Sequence, residues 1–189
     1  IQHMRKFIKN KLSIIIPTFN EADNINNLLN EIIRIVKNVE YEIIVVDDGS
    51  TDETVNNIFQ IHSQNNKIKI IQREFDKGLL QSIKFALQTI SGEFFLIMDG
   101  DGQHSPKNIM PLLKNLENND LSIGVRDLKN TDGISKQRSF VSNVFNNIIS
   151  FIFKKKLSDP LTGFFAVKTR ILNKKFFSLN NSGFKILLD

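Results

Sequence analysis

Apolar residues fall along this chain in two alternating patterns. Leu12 to Ile16 is a short β-branched run closed by Pro17, and it predicts a buried strand. Beyond it Ile25, Leu28, Leu29, Ile32, Ile33 and Val36 recur at helical spacing. Glu42 to Val46 predicts a second strand, ended by Asp47-Asp48-Gly49-Ser50. Thr51 to Thr54 offers N-cap and acidic first-turn residues to a helix whose apolar face is read as Val55, Ile58 and Phe59. Lys67 to Ile71 predicts a third strand. A helix carrying Leu79, Leu80, Ile83, Ala86, Leu87 and Ile90 follows Lys77-Gly78, and Ser91-Gly92 breaks it. Glu93 to Met98 predicts a fourth strand that runs directly into Asp99.

Strands and helices thus alternate through the first half, the pattern of an α/β fold: a mostly parallel, Rossmann-like sheet with helices on both faces. Such sheets bind ligands beyond the carboxyl ends of their strands. The unusual polar clusters fall there: Pro17 to Glu21 after the first strand, Asp47 to Asp52 after the second, Asp99 to His104 after the fourth. In the second half, Leu121 to Val125 and Phe164 to Val167 read as strands. Ser135 to Phe153 carries a helical stripe of Phe, Val and Ile ending in Lys154-Lys155-Lys156. That helix fits either a membrane surface or the domain core.

Composition narrows the class. The 189 residues are 41% hydrophobic and 24% charged, suited to one domain with a real core. The absence of cysteine excludes a disulfide scaffold and a Cys-ligated zinc site. The net charge of +5 fits a lysine-rich solvated surface or attraction to anionic partners. With a single tyrosine, no tryptophan and no RNA-binding motif, nucleic acid is not an expected partner. No apolar run reaches spanning length. Residues 1–11 are expected to be an N-terminal extension, its His3-Met4 step a vector remnant ahead of Met4. The apolar stretch Gly183 to Asp189 suggests a truncated end.

The chemistry-bearing residues follow from the strand ends. Asp99-Gly100-Asp101 places two carboxylates around a small residue on an extended turn, which suits Mg²⁺ or Mn²⁺ bridging protein to a diphosphate. Without that strand context the same spacing also fits a plain acidic turn. Gln103 and His104 are candidates to complete the shell, with an ordinary loop role as the alternative for His104. Asp47 and Asp48 suit recognition of a ribose hydroxyl or a base N–H, or a simple Asp-Gly turn. Thr18, Asn20 and Glu21 suit the same pocket, or the capping of the helix that follows.

Three segments, Ser13 to Glu21, Val45 to Asp52 and Met98 to Pro106, together resemble the inverting GT-A glycosyltransferases of family 2. Gly124 to Arg126, Lys136 to Arg138, Asp159 to Phe164 and Gly183 to Leu188 are similar to its polyprenyl-phosphate branch, which includes dolichol-phosphate mannose synthases. The resemblance implies a nucleotide-diphospho-sugar transferase fold over 12–189, with a nucleotide-sugar-binding half (12–124) and an acceptor-side half (125–189). It implies nucleotide-sugar binding by Pro17, Thr18, Asn20, Glu21, Asp47, Asp48, Lys77, Gly78, Asp99 and Gly100, and a metal at Asp99, Asp101 and Gln103. Catalytic roles fall to Asp99, Asp101, Arg126 and Arg138, the arginines contacting phosphate. The Lys77-Gly78 segment matches only in part, since the family often has glycine near the position of Ser82 and this chain does not.

The implied reaction moves a hexose from GDP-mannose or UDP-glucose to a dolichyl or undecaprenyl phosphate, with inversion. A phosphate monoester, with a second pKa of about 6, needs positioning rather than a general base. Asp159 and Asp189 are the candidates for a base if the acceptor is a hydroxyl. The implied place is the cytoplasmic face of a membrane, peripheral or anchored through further segments. A hydroxyl-acceptor glycosyltransferase and a non-catalytic nucleotide-binding module of the same fold are the alternatives.

Overall fold

Alternate side chains of Leu12–Thr18 (β1) are apolar on both faces: Leu12, Ile14 and Ile16 point one way and Ile15 the other, all fully buried. A strand with this pattern belongs in the middle of a sheet covered on both sides. The computed structural model, which describes residues 10–124 and 163–172, puts it there.

Six strands form one sheet: β1, β2 (Tyr41–Asp47), β3 (Ile68–Gln72), β4 (Phe94–Ile97), β5 (Leu121–Ile123) and β6 (Phe165–Lys168), in the order β3-β2-β1-β4-β6-β5. The pairs β1–β2, β1–β4 and β2–β3 are parallel. β6 runs antiparallel to both β4 and β5. A strand from late in the chain therefore lies between two early ones, so residues on both sides of position 124 share the sheet.

Helices α1 (Ile25–Val36), α2 (Thr54–His62), α3 (Leu79–Leu87) and α4 (Ile109–Asn115) complete the described elements, with 3₁₀ turns at Pro106–Asn108 and Thr169–Ile171. On one face α1, α2 and α4 bury Leu29, Ile32, Ile58 and Leu112 against Ile14, Ile43 and Leu96. On the other, Ile83, Ala86 and Leu87 of α3 pack on Ile15, Ile44, Phe95 and Phe165. Helices on both faces are as expected. At about 1.5–3 kcal/mol for each fully buried aliphatic side chain, these two layers are the main stabilising term.

Two details differ from the sequence pattern. The buried stripe of α2 is Thr54, Ile58 and His62, not Val55, Ile58 and Phe59; Phe59 is 64% exposed. This helix packs on α1 through a narrow i, i+4, i+8 stripe, which leaves the Phe59 side in solvent. Helix α4 follows Pro106 and buries Ile109, Leu112 and Leu113, an element the periodicity reading did not pick out. At seven residues it is too short for a clear repeat. The amphipathic segment 135–153, the basic run 154–156, the extension 1–9 and the terminal 183–189 lie outside the described residues.

At the amino edge of the sheet, Glu42 is 2% exposed. It accepts from Ser13 Oγ (2.7 Å), Ser91 N (2.7 Å), Ser91 Oγ (2.8 Å) and Lys69 Nζ (2.8 Å). Burial pushes its pKa up, but those donors outweigh it and hold the carboxyl at about 2. This network ties β1, β2, β3 and the start of β4 together on the side opposite the polar loops.

Candidate functional site

The parallel register decides which loops meet. Thr18 pairs with Asp47, so β1 and β2 end level, whereas β4 pairs only as far as Ile97, opposite Ile15 and three residues short of Thr18. The chain beyond β4 then passes close over the end of β1. A Cβ on Gly100 would lie 2.9 Å from Thr18 Cγ2 and 3.3 Å from the Pro17 carbonyl oxygen. Only glycine fits between Asp99 and Asp101 without displacing β1, which accounts for the small residue in the Asp-Gly-Asp segment.

The acidic residues expected from sequence converge on this edge. Asp99 is 16% exposed in its side chain, and its Oδ2 lies 3.9 Å from His104 Nε2. Asp101 accepts from the backbone N–H of exposed Gln103 at 2.9 Å, across Gly102 at φ 70°. Burial, then the nearby charges of Asp101 and Asp52, push the pKa of Glu21 up, against a lowering hydrogen bond from Asn24. Glu21 on the β1 loop therefore feels Asp101 on the β4 loop, and negative charge accumulates there. His104 is buried, with its ring 5.2 Å from that of Phe164 at a tilt of 31°. It packs the loop onto the lead-in to β6.

The chemistry of the donor set fits a divalent cation. Hard carboxylate oxygens from Asp99 and Asp101 suit Mg²⁺ or Mn²⁺, and a cation there would offset part of the negative charge around Glu21. Among the described residues no three His, Asp or Glu side chains converge into an all-protein cage. Two carboxylates completed by ligand oxygens are the usual arrangement where Mg²⁺ bridges protein and phosphates.

The two aspartates at the end of β2 divide their work. Asp47 is 1% exposed; its Oδ1 accepts from the N–H groups of Gly49 (3.1 Å) and Ser50 (3.0 Å), and its Oδ2 from the Ser50 hydroxyl. It shapes the turn, in which Gly49 sits at φ 85°. Asp48 is turned outward and anchored by Arg73 Nη1 (3.1 Å) and Ser82 Oγ (3.2 Å) on Oδ1, and by Gly78 N (2.6 Å) on Oδ2. Oδ2 keeps acceptor capacity for one further donor. Lys77 folds over the same turn: a Cβ on Gly49 would lie 2.2 Å from its Nζ.

Asn20, at φ 56°, joins the β1 and β2 loops: its N–H donates to Ser50 Oγ (2.9 Å) and its Oδ1 accepts from Thr51 N (2.9 Å). Glu21 N donates to Thr54 Oγ1 at 2.8 Å. Thr18 Oγ1 donates to the Val46 carbonyl at 3.4 Å. The Asn20 side chain and the backbone N–H groups of Asn20 and Glu21 brace one loop against the other, while Glu21 Oε2 accepts from Asn24 Nδ2 at 3.2 Å; no side chain caps α1, whose N-cap is Asn24. The structure thus brings together Pro17, Thr18, Asn20, Glu21, Asp47, Asp48, Lys77, Gly78, Asp99, Gly100, Asp101 and Gln103 at one edge. Arg126, Arg138 and Asp159 lie outside the described residues, as does Asp189.

Arg73 carries no mark in the sequence pattern, and Ser82 is marked there only as a departure from glycine, not as a partner of Asp48. Arg73 directly follows β3, the one parallel strand end passed over, where the same carboxyl-edge rule applies.

Comparison with known proteins agrees with this geometry. The Glycosyl transferase family 2 domain matches residues 13–177. A dolichol-phosphate mannosyltransferase of Pyrococcus furiosus is 33% identical over 184 residues, covering 95% of this chain and 51% of that protein. The Saccharomyces cerevisiae dolichol-phosphate mannosyltransferase is 28% identical over 185 residues, covering 94% and 68%. The chain thus spans only part of these relatives' length. A solved mannosyltransferase from Pyrobaculum calidifontis, in complex with GDP-Man and Mn²⁺, superposes with a TM-score of 0.58 at 18% identity, covering 88% of this chain and 51% of that one, a likeness of fold. With a GT-A type sheet, carboxylates gathered at its carboxyl edge and the family domain matched over most of its length, this chain belongs to glycosyl transferase family 2.

Proposed function

We propose that this chain is the catalytic part of a glycosyltransferase that moves a hexose from a nucleotide-diphosphate sugar to a polyprenyl phosphate. The observation that carries the proposal is the meeting of Asp48, Glu21, Asp99 and Asp101 at one sheet edge, in a family 2 chain similar to dolichol-phosphate mannosyltransferases. Asp48, with its remaining acceptor site, takes an N–H or hydroxyl of the nucleoside. Pro17, Thr18, Asn20 and Glu21 form the adjoining wall, and Lys77 and Gly78 close the far side. Asp99 and Asp101 would hold the metal, with Gln103 beside them.

A bound Mg²⁺ or Mn²⁺ supplies charge compensation for the departing nucleoside diphosphate. The chain's own residues do the rest. The Gly100 backbone, seated on Thr18, fixes both flanking carboxylates relative to the nucleoside wall. A preorganised site of this kind loses little on reorganisation as charge develops. The acceptor phosphate is already anionic near neutral pH, so its attack on the anomeric carbon requires alignment and cations rather than a base. Arg126 and Arg138 are assigned to that role by sequence; such guanidinium groups bind phosphate in a bidentate fork. Backside attack inverts the anomeric configuration.

The site of action is the cytoplasmic face of a membrane, where a lipid phosphate and a soluble donor meet. No described helix is long and apolar enough to cross a bilayer. The decisive experiment is a thermal-shift panel of GDP, UDP, GDP-mannose and UDP-glucose with and without Mn²⁺, followed by sugar transfer to dolichyl or undecaprenyl phosphate in detergent. Ligands that bind the native state raise the midpoint. No shift for any of the four with metal present would refute the donor assignment. Transfer to a sugar hydroxyl but to neither lipid phosphate would refute the acceptor assignment.

A further inference from the structure

Arg73 is a cation almost withdrawn from solvent at the donor edge: its side chain is 8% exposed. Its backbone N–H donates to the Asp47 carbonyl at 2.9 Å, which prolongs the β2–β3 pairing one step past Gln72. Its guanidinium then splits its donors. Nη1 takes Asp48 Oδ1 at 3.1 Å and Ser82 Oγ at 3.0 Å. Nη2 takes the carbonyl oxygens of Phe75, at 3.3 Å, and Asp76. One planar group therefore fixes both the carboxylate that faces the nucleoside and the backbone of the loop that follows β3.

That loop does not hold its shape by local preference. Asp76 sits at φ 52° and Gly78 at φ 131°, both in the left-handed half of backbone space. A non-glycine residue there costs on the order of 1 kcal/mol or more, which outside contacts must offset. The contacts present are Arg73 to the two carbonyls and Gly78 N to Asp48 Oδ2 at 2.6 Å. In this bent form the loop brings Lys77 Nζ over Gly49. Ser82 is fully buried between the two charges and donates to Asp48 while accepting from Arg73. Ser82 thus adds a bond to the same network.

Resting on the donor-site reading above, we propose that Arg73 is the positioning residue of the donor pocket. It acts through Asp48 and the 74–78 loop and does not touch the ligand. A guanidinium is required because a lysine ammonium, a single point donor, cannot span Asp48 and two loop carbonyls at once. Removing the fork leaves Asp48 held only by Ser82 and the Gly78 N–H and removes the two bonds that fix the loop carrying Lys77, so the nucleoside loses a firmly oriented acceptor.

The test is isothermal titration of GDP and UDP with Mn²⁺ into the wild-type chain and the variants Arg73→Met, Arg73→Lys, Ser82→Ala, Asp48→Asn and Asp48→Asn/Arg73→Met. For the base that binds the wild type, Arg73→Met is expected to raise Kd about tenfold or more, Arg73→Lys by less, and Ser82→Ala about threefold. The Asp48→Asn/Arg73→Met double variant is expected to bind no more weakly than the worse single variant, since one residue acts through the other. Where Arg73→Met does not fold, Arg73→Lys and its double with Asp48→Asn carry the same comparison. Unchanged Kd in the Arg73 variants overturns the proposal. So does full additivity with Asp48→Asn, which would make Arg73 a direct ligand contact. Both results leave the donor site standing, whereas a wild-type chain that binds neither nucleotide removes the donor site and this inference with it.

Discussion

Glu42 offers the sharpest quantitative test of how the sheet is held. Its carboxyl is at about 2 in the folded chain against an ordinary value of 4.5, because Lys69, Ser13 and Ser91 outweigh its burial. A depressed acid contributes stability that is fully present above the unfolded value and is lost as pH falls toward the folded one. At about 1.4 kcal/mol per pH unit, that gap corresponds to about 3 kcal/mol at neutral pH, of which about 2 kcal/mol is lost by pH 3. Lys69 is half exposed, so its share is screened by salt and the figure is an upper value. Glu42→Gln keeps the shape and removes the charge. Urea unfolding of both proteins at low ionic strength from pH 7 to pH 3 reads the difference directly. The wild type should lead by about 3 kcal/mol at pH 7 and by about 1 kcal/mol at pH 3. A lead that stays constant across this range, or none at pH 7, refutes the reasoning, since a purely steric effect has no reason to titrate there.

Other expectations follow from particular contacts. Asp101→Asn should abolish the Mn²⁺-dependent part of the nucleotide thermal shift and, by removing a nearby negative charge, lower the Glu21 titration midpoint in carboxyl NMR; an unmoved Glu21 would separate the two loops. Gly100→Ala puts a methyl 2.9 Å from Thr18 Cγ2, so stability should fall by about 1 kcal/mol while metal-dependent nucleotide affinity falls more steeply, checked by urea unfolding beside calorimetry. Gly92→Ala meets three backbone atoms, Lys11 O, Phe94 O and Ser13 N, all at 2.7 Å, and should cost about 2–3 kcal/mol of unfolding free energy without moving the nucleotide Kd of the folded fraction.

Much of the candidate site was legible in the order of residues. Short continuous apolar runs located β1 to β4, and 3.6-residue periodicity located helices α1 and α3, to within a few residues, because burial on both faces of a central strand or on one face of a helix dictates those patterns. Once the strands were parallel, chemistry at their carboxyl ends followed, and Asp48, Asp99 and Asp101 could be named. Arg73 could not, since a lone arginine after a half-exposed strand has no local mark of being buried; its 8% exposure exists only when α3 and the β2 loop close over it. The same holds for Phe59, whose place in an apolar stripe gave no sign that α2 turns it outward.

What the sequence determined by itself was the alternation of elements and the identity of the carboxylates, since both depend on residue type and short-range spacing. Tertiary structure alone decided that β6 inserts antiparallel between β4 and β5, a pairing between distant residues that no local period encodes. It also decided the split between two adjacent aspartates. Asp47 turns inward to satisfy the backbone N–H groups of its own turn, while Asp48 turns outward into the grip of Arg73. Neighbours at a strand end face opposite sides, so which of the two carboxylates stays open at the sheet edge depends on the register of the sheet and on what packs against each side.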